Sequence, residues 1–427
     1  MRIDDQLIAA HNDQTLPDHR ESFGYLSKKL EKQNRNPQDI VQKLKDFQIA
    51  IPSWALGNGG TRFGRFSGGG EPRNLEEKIA DVGLLHALNR SSDAISLHIP
   101  WDIPRDIPTI QALASSYGLS FDAVNSNTFQ DQTDQKHSYK FGSLCHTDNR
   151  VRQQAVDHNL EVIKYGDALG SKALTVWLSD GSSFPGQLNF RKALQRTLAS
   201  LEEIYAGLPE DWKIFVEYKP YEPHFYSTVI QDWGTSHLLA TKLGPKAFSL
   251  VDLGHHLPNT NIEQIVATLM MQEKLGGFHF NDSKYGDDDL TVGSIKPYQL
   301  FLIFNELVEG MEDLSSKNPS PAWMIDASHN LKDPLEDLLQ SVEAIKIAYA
   351  QALLIDRISL EEARENNDPT LAQEILQEAY RMDVRPLLVE ARIQTGGAVH
   401  PLSLYRKMNV RQQLINERGS KTISTGL

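Results

Sequence analysis

Short apolar runs recur along the chain, each ending in a polar or aromatic cluster. They read "QIAIPSW", "AISLHIPW", "LSFDAVNS", "KALTVWLSD", "KIFVEYKP", "FSLVDLGHH", "GGFHFNDS" and "AWMIDASHN". Each has about the length of a strand, bounded by turn-forming residues, so eight strands are predicted. Most intervals between them carry apolar positions at helical spacing, as in "RKALQRTLASLEEIYAGL" and "NIEQIVATLMMQEKLG". Strands alternating with helices make parallel βαβ units. Eight such units predict an α/β fold, a closed (β/α)8 TIM barrel, with a doubly wound open sheet as the alternative. Polar residues with chemical potential stand at nearly every strand end, which favours the barrel, because its active site lies at the C-terminal ends of its strands.

Helical patterns flank this array. Residues 1–45 read as an N-terminal helical segment: "PQDIVQKLKDF" sets Asp39 near a helix start and lysines later, as the helix dipole prefers. Residues 46–345 hold the barrel. Residues 346–427 include "SVEAIKIAYAQALLIDRISLEEAREN" and "LAQEILQEAYRMDVRPLLVEARIQTGG", both amphipathic. A barrel does not need them, so they predict a C-terminal α-helical extension suited to subunit contacts. No internal repeat or low-complexity tract interrupts the pattern.

Composition narrows the class. The chain has 427 residues, 40% hydrophobic and 23% charged, with a net charge of −13. Such a balance argues against nucleic acid or an anionic membrane as partner, since phosphate binding needs basic surface. It leaves carboxylates free for cations. The single cysteine, Cys145, excludes a disulfide within the chain and suits a reducing compartment. "MRIDDQLIAAHNDQ" lacks a secretory pattern, and no apolar run approaches the roughly 20 residues of a membrane span. A cytoplasmic location is expected.

Four late strands carry the chemistry. Glu217 and Lys219 lie two apart and share a face, as do His279 with Asn281 and Asp326 with Ser328; Asp252 ends an apolar run. One acid at a strand end is more often a helix cap or an ion-pair partner. In a barrel, however, Glu217, Asp252, His279 and Asp326 converge, and three carboxylates in a confined site stay ionised only beside a cation. An oxygen-rich set with one nitrogen suits Mn²⁺, then Mg²⁺, Co²⁺ or Zn²⁺. His255 has the wrong parity to join Asp252 and should reach a neighbouring point. "YGDDDL" by itself is an ordinary polar turn; beside His255 at the mouth of a metal site, Asp287 and Asp289 become ligands for a second ion. Trp54, Trp101, Phe129 and Trp177 fall at strand ends, each as suited to a core as to a ligand wall, and flat aromatic faces fit the C–H faces of a sugar. His98 is equally a satisfied buried histidine or a substrate contact. The Gly-rich "GNGGTRFGRFSGGGEP" lacks the Lys-Ser/Thr ending of a phosphate-binding loop.

Several of these stretches resemble one family. "IPSW" with "GGTRF", "SLHIPWD", "FDAVNSNTF", "SKALTVW", "VDLGHHLPNTNIE", "GGFHFNDSKYGDDDL" and "MIDASHN" are similar to the broad-specificity bacterial L-rhamnose isomerases, whose architecture resembles that of xylose isomerase. The likeness runs from about residue 45 to beyond 400. It implies a (β/α)8 barrel, a homotetramer and two divalent cations per subunit, commonly Mn²⁺. By position it gives Glu217, Asp252, His279 and Asp326 to the first ion, and His255, Asp287 and Asp289 to the second. His98, Trp177, Lys219 and Ser328 match sugar-contacting or catalytic positions, with Asp326 counted among the catalytic groups. Trp54 and Phe129 match an apolar wall, and Phe63 matches a residue supplied by a neighbouring subunit. The implied activity is aldose–ketose isomerisation of a monosaccharide: L-rhamnose to L-rhamnulose, extending to L-mannose, L-lyxose or D-allose. Hydrogen would move between C1 and C2 as a hydride, or as a proton through an enediol; the residues leave both routes open. The alternatives are a ketose 3-epimerase on the same barrel, or a non-catalytic metal- or sugar-binding scaffold.

Overall fold

The computed structural model describes every residue except 1, 2, 4, 58–65, 67, 314–319, 328–330 and 422–427. Eight parallel strands close into a barrel: Ala50–Pro52, Ala94–Ile99, Ser120–Ser126, Ala173–Val176, Lys213–Glu217, Ala247–Asp252, Leu275–Phe280 and Ala322–Ile325. Sequential strands are neighbours, and the first pairs with the last through Ala50 and Met324, so the sheet is closed rather than open. Six lie wholly within the apolar runs read from the sequence, and the other two, Ala247–Asp252 and Leu275–Phe280, begin one residue before theirs. A two-stranded antiparallel ribbon, Gly181–Ser182 with Ser227–Thr228, ties together the loops that follow the fourth and fifth strands.

Helices fill the connections, and polar residues set where they begin. Asn189 accepts from the Lys192 amide to start Phe190–Ala206, and Asn261 does the same from Gln264 for Ile262–Met271. Such caps satisfy amides that have no partner within the helix. The barrel interior is apolar at depth, where Ala123, Ala173, Phe215, Phe248 and Leu250 pack together. Gly277 lets the seventh and eighth strands approach: a Cβ there would lie 2.5 Å from the Ala322 carbonyl oxygen. Outside the barrel, the rings of Phe278, Phe280, Phe304 and Trp323 stack against one another.

The flanking helices pack on the barrel and on each other. Asp5–Asn12, Leu16–Glu31 and Pro37–Asp46 precede it. Pro334–Leu353 is the helix after the eighth strand and spans position 345/346; Arg357–Glu365, Pro369–Tyr380, Arg385–Gln394, Pro401–Lys407 and Val410–Arg418 follow. Helix Arg385–Gln394 lies against Leu16–Glu31 and Pro37–Asp46. The Asn12 side chain donates to the Gly397 carbonyl and accepts from the Val399 amide, each at 2.9 Å, and His19 meets Glu390 at 2.8 Å. The last helix returns to the barrel mouth, where Arg411 pairs with Asp333 and Arg418 with Asp81. Among the described residues no single helix is long and apolar enough to cross a membrane.

Candidate metal centre

The C-terminal ends of the last four strands bring their polar residues together. Asp252 and His279 face each other across neighbouring strands, and Glu217 closes the strand before them. His279 Nδ1 lies 3.2 Å from Glu217 Oε1, 3.6 Å from Asp326 Oδ2 and 3.7 Å from Asp252 Oδ2. One ligand atom from each of these four residues falls within 4.8 Å of every other, the spread a single cation bridges. A second group adjoins it: Asp252, His255 and Asp287 meet the same distance limit. Asp252 thus belongs to both groups. In this trio it stands where the sequence reading placed Asp289, which lines the same cavity.

The three consecutive aspartates divide between roles. Asp288 is the turn former: its carboxylate accepts from the Lys284 amide at 2.7 Å and the Tyr285 amide at 2.8 Å. Asp287 and Asp289 have positive φ of 47°, which turns the backbone so that both side chains reach the cavity. The loop is pinned by the Asp287 amide on the Gly254 carbonyl at 2.8 Å and by the bridge between Asp282 and Leu290.

Second-layer contacts orient these groups. Asp252 Oδ1 accepts from the Gly254 amide and from Asn281 Nδ2, at 2.8 and 2.9 Å. Its Oδ2 is buried, has no hydrogen-bond partner and faces the four-residue group. An orphaned carboxylate oxygen beside three other donors is the arrangement a hard cation satisfies. His255 Nδ1 lies 3.0 Å from the Tyr218 carbonyl, the contact that leaves Nε2 free to act as ligand. Lys219 pairs with Asp287, lies 3.4 Å from Glu222, and sits 4.9 Å from the centre of the Trp177 ring.

The electrostatics call for positive charge. Burial first, then crowding by other carboxylates, raises Asp252 to about 6 and lifts Asp326 and Asp289 above the ordinary carboxylate range. Burial also works against charge on Glu217, but His279 and His255 outweigh it and hold that carboxyl low. Burial would lower both imidazoles; Glu217 and its neighbours instead raise His279 to about 9, and Asp252 and Asp287 raise His255. To ligate, these groups must give up their protons. Mn²⁺ binding at pH 7 is therefore expected to release protons, and its affinity to fall at least about tenfold from pH 8 to pH 6. Calorimetric titration in buffers of different ionisation enthalpy measures both; an affinity independent of pH across that window would remove these side chains as ligands.

An aromatic arc faces the acids across the cavity. Ring centres are 5.3 Å apart for Trp54 and His98, 4.3 Å for His98 and Trp101, 5.5 Å for His98 and Phe129, and 4.8 Å for Phe129 and Trp177. Trp54 Nε1 donates to Asp326 Oδ1 at 2.8 Å, joining wall to acids. Burial lowers His98 to about 3, so its ring is neutral near pH 7. His98 Nδ1, Ser126 Oγ, Thr175 Oγ1 and Trp177 Nε1 are buried without partners and belong to residues lining this cavity. A hydroxyl-rich molecule would satisfy donors and acceptors of this kind.

Of the residues singled out in the sequence, Trp54, His98, Phe129, Trp177, Glu217, Lys219, His255, His279, Asp287, Asp289 and Asp326 line one cavity, with Asp252 at the base of its acids. Phe63 and Ser328 lie outside the described residues. Asn125, Ser126 and Thr175 also line the cavity and were missed. Strand parity could have found Thr175, two positions before Trp177, whereas Ser126 gives no sign in the sequence.

The sequence and the fold have counterparts among known proteins. The model of the xylose isomerase-like TIM barrel matches residues 91–303. The chain is 52% identical over 424 residues to a probable sugar isomerase of Mesorhizobium japonicum, covering 99% of this chain and 98% of that one. It is 55% identical over 379 residues to a probable sugar isomerase of Rhizobium meliloti, covering 89% and 88%. More distantly, it is 24% identical to an L-rhamnose isomerase of Rhodopirellula baltica, covering 75% and 82%. Among solved structures, an L-ribulose 3-epimerase superposes with a TM-score of 0.54 at 15% identity, covering 76% of this chain and 99% of that one. At that identity the likeness is one of fold. The chain belongs to the xylose isomerase-like TIM barrel family, in the company of probable sugar isomerases that it matches over nearly its whole length.

Proposed function

We propose that the protein is a metal-dependent aldose–ketose isomerase that converts L-rhamnose to L-rhamnulose and accepts related aldoses. The observation that carries this reading is one cavity with two adjoining acid–imidazole groups on one side and an aromatic arc on the other. Two divalent cations, most suitably Mn²⁺, would be held by Glu217, Asp252, His279 and Asp326, and by His255, Asp287 and Asp289 with Asp252 nearby. Bound there, they would supply Lewis acidity for the negative charge that develops on neighbouring sugar oxygens as hydrogen moves between C1 and C2. The chain's own groups do the rest. Lys219, positioned by Asp287, donates a hydrogen bond to the oxygen on C1. Neutral His98 offers a donor and an acceptor to a sugar oxygen at the far wall. Trp54, Phe129 and Trp177 cover the C–H faces and exclude water, and Ser328 is given a sugar-contacting or catalytic role by resemblance.

The L-rhamnose assignment rests on the quoted motifs and on the likeness to the Rhodopirellula enzyme. An apolar wall rejects stereoisomers weakly, because no buried polar group is left unpaired by the wrong epimer. L-mannose, L-lyxose and D-allose are therefore proposed as further substrates. The test is to strip the protein with chelator, reload it with Mn²⁺, Mg²⁺, Co²⁺ or Zn²⁺, and follow ketose formation across a panel of aldoses. L-rhamnose and at least one other of these sugars should yield ketose with Mn²⁺. Epimerisation of a ketose at C3 without any aldose turnover would assign the epimerase reaction instead, and binding without turnover would assign a scaffold.

The assembly proposed is a homotetramer in which the helices after Leu353 make subunit contacts and Phe63 enters a neighbouring site. Sedimentation at about four times the 48.0 kDa chain mass is the expected outcome. A monomer at micromolar concentration would remove both statements. A chain whose single cysteine is buried and free suits a reducing compartment, and the cytoplasm is the location proposed.

A further inference from the structure

Behind the aromatic arc lies a charge pair that the proposed reaction does not use. Lys78, from helix Leu75–Asn89, places Nζ 2.6 Å from Asp102 Oδ1, and both side chains are fully buried. Asp102 Oδ2 accepts from the His98 amide at 2.9 Å and from the Ser53 hydroxyl. The Asp102 amide in turn donates to the His98 carbonyl at 2.9 Å, so the segment His98–Asp102 is closed from both ends. That segment carries His98 and Trp101. Ser53 is the neighbour of Trp54, whose indole reaches Asp326. One carboxylate therefore ties together two stretches of chain that supply three of the five rings of the arc, Trp54, His98 and Trp101.

A buried ion pair is a costly way to add stability, because both charges leave water. An apolar pair would fill the same space. What an apolar pair cannot do is accept hydrogen bonds from a specified amide and a specified hydroxyl at once. Lys78 also cancels the charge, so Asp102 adds nothing to a cavity already crowded with carboxylates.

We propose that Asp102, neutralised by Lys78, is a positioning residue that sets the distance between Trp54 and His98, and through Trp54 the orientation of the Asp326 carboxylate. It touches neither sugar nor metal. Its effect should therefore fall on substrate fit and on the Trp54 indole, and not on the identity of the reaction. The inference rests on the proposed isomerase reading for its kinetic arm only; its spectroscopic arm needs no substrate.

The test compares Ser53→Ala, which cuts the link to the first strand and leaves the ion pair intact, with Ser53→Thr, which keeps a hydroxyl. Asp102→Asn is the stronger variant. The first readout is the indole N–H resonance of Trp54 in the full-length protein, assigned by its loss in Trp54→Phe. In Ser53→Ala it should shift and exchange faster with solvent while the melting temperature stays near that of the parent; Ser53→Thr should restore the parent resonance. The second readout is kinetic: Ser53→Ala should raise KM for the aldose about tenfold, with a smaller fall in kcat through the reoriented Asp326 carboxylate. An unshifted indole resonance in Ser53→Ala overturns the proposal, whatever Asp102→Asn does, and so does a shift that Ser53→Thr reproduces in full. Absence of isomerase activity in the parent would sink the functional reading and leave the indole result standing. If Asp102→Asn does not fold, Ser53→Ala decides alone.

Discussion

Glu217→Gln is expected to lose both bound metal and turnover. The Glu217 carboxylate lies 3.2 Å from an imidazole nitrogen of each group, His279 Nδ1 and His255 Nδ1, and is 3% exposed. Beside Asp252, which belongs to both groups, it is a second side chain that touches both halves of the centre. Gln keeps the shape and removes the charge. The remaining acids are less able to hold a divalent cation, and the two imidazoles lose the partner that keeps them oriented. Metal retention should fall by more than about a hundredfold, by analogy with the cost of disturbing orienting partners. Turnover should fall by at least about a thousandfold, the upper range for removing one electrostatic contact at a reacting centre. Elemental analysis after dialysis, ketose formation and circular dichroism measure metal, activity and fold separately. A folded Glu217→Gln protein with full metal content and most of its turnover would reduce this carboxylate to an ion-pair partner.

Asp287→Asn should separate the two groups. Asp287 touches His255 and Lys219 and has no place in the four-residue group that contains His279. Those four sit on strand ends held by the barrel, which pre-organises them. Asp287 sits on a loop. The variant should therefore keep one ion and the parent fold while losing the other. Lys219 loses the foremost of the carboxylates that together offset its burial, so it should be less firmly held near C1. Turnover should fall by about a hundredfold or more. If Asp287→Asn keeps both ions and its turnover, the loop aspartates are a polar turn, as Asp288 already is.

The two outcomes together test more than two residues. Parallel losses of metal in both variants would mean a single shared ion around Asp252. Loss of one ion in Asp287→Asn and of both in Glu217→Gln would fix two sites with Glu217 between them.

The sequence by itself determined the eight strands, their parallel order and which strand ends carry acids and imidazoles. That information is local: side chains alternate along a strand and recur along a helix, so Glu217 with Lys219 and His279 with Asn281 are on one face whatever the rest of the chain does. Eight units with polar strand ends predict barrel closure, but the choice of a closed over an open sheet needed the tertiary structure, because the pairing of Ala50 with Met324 joins residues 274 positions apart. So did the double membership of Asp252, which depends on the register that sets it opposite His279 and on a loop that folds His255 back. The division of labour among Asp287, Asp288 and Asp289 was decided by backbone: two positive φ angles and one set of turn hydrogen bonds, which identical side chains cannot announce. Lys78 and Asp102 were not singled out in the sequence; it is packing that removes both from water and makes them partners. Alternation is written in neighbouring residues; register, loop closure and burial arise only between distant ones, and there the structure had to decide.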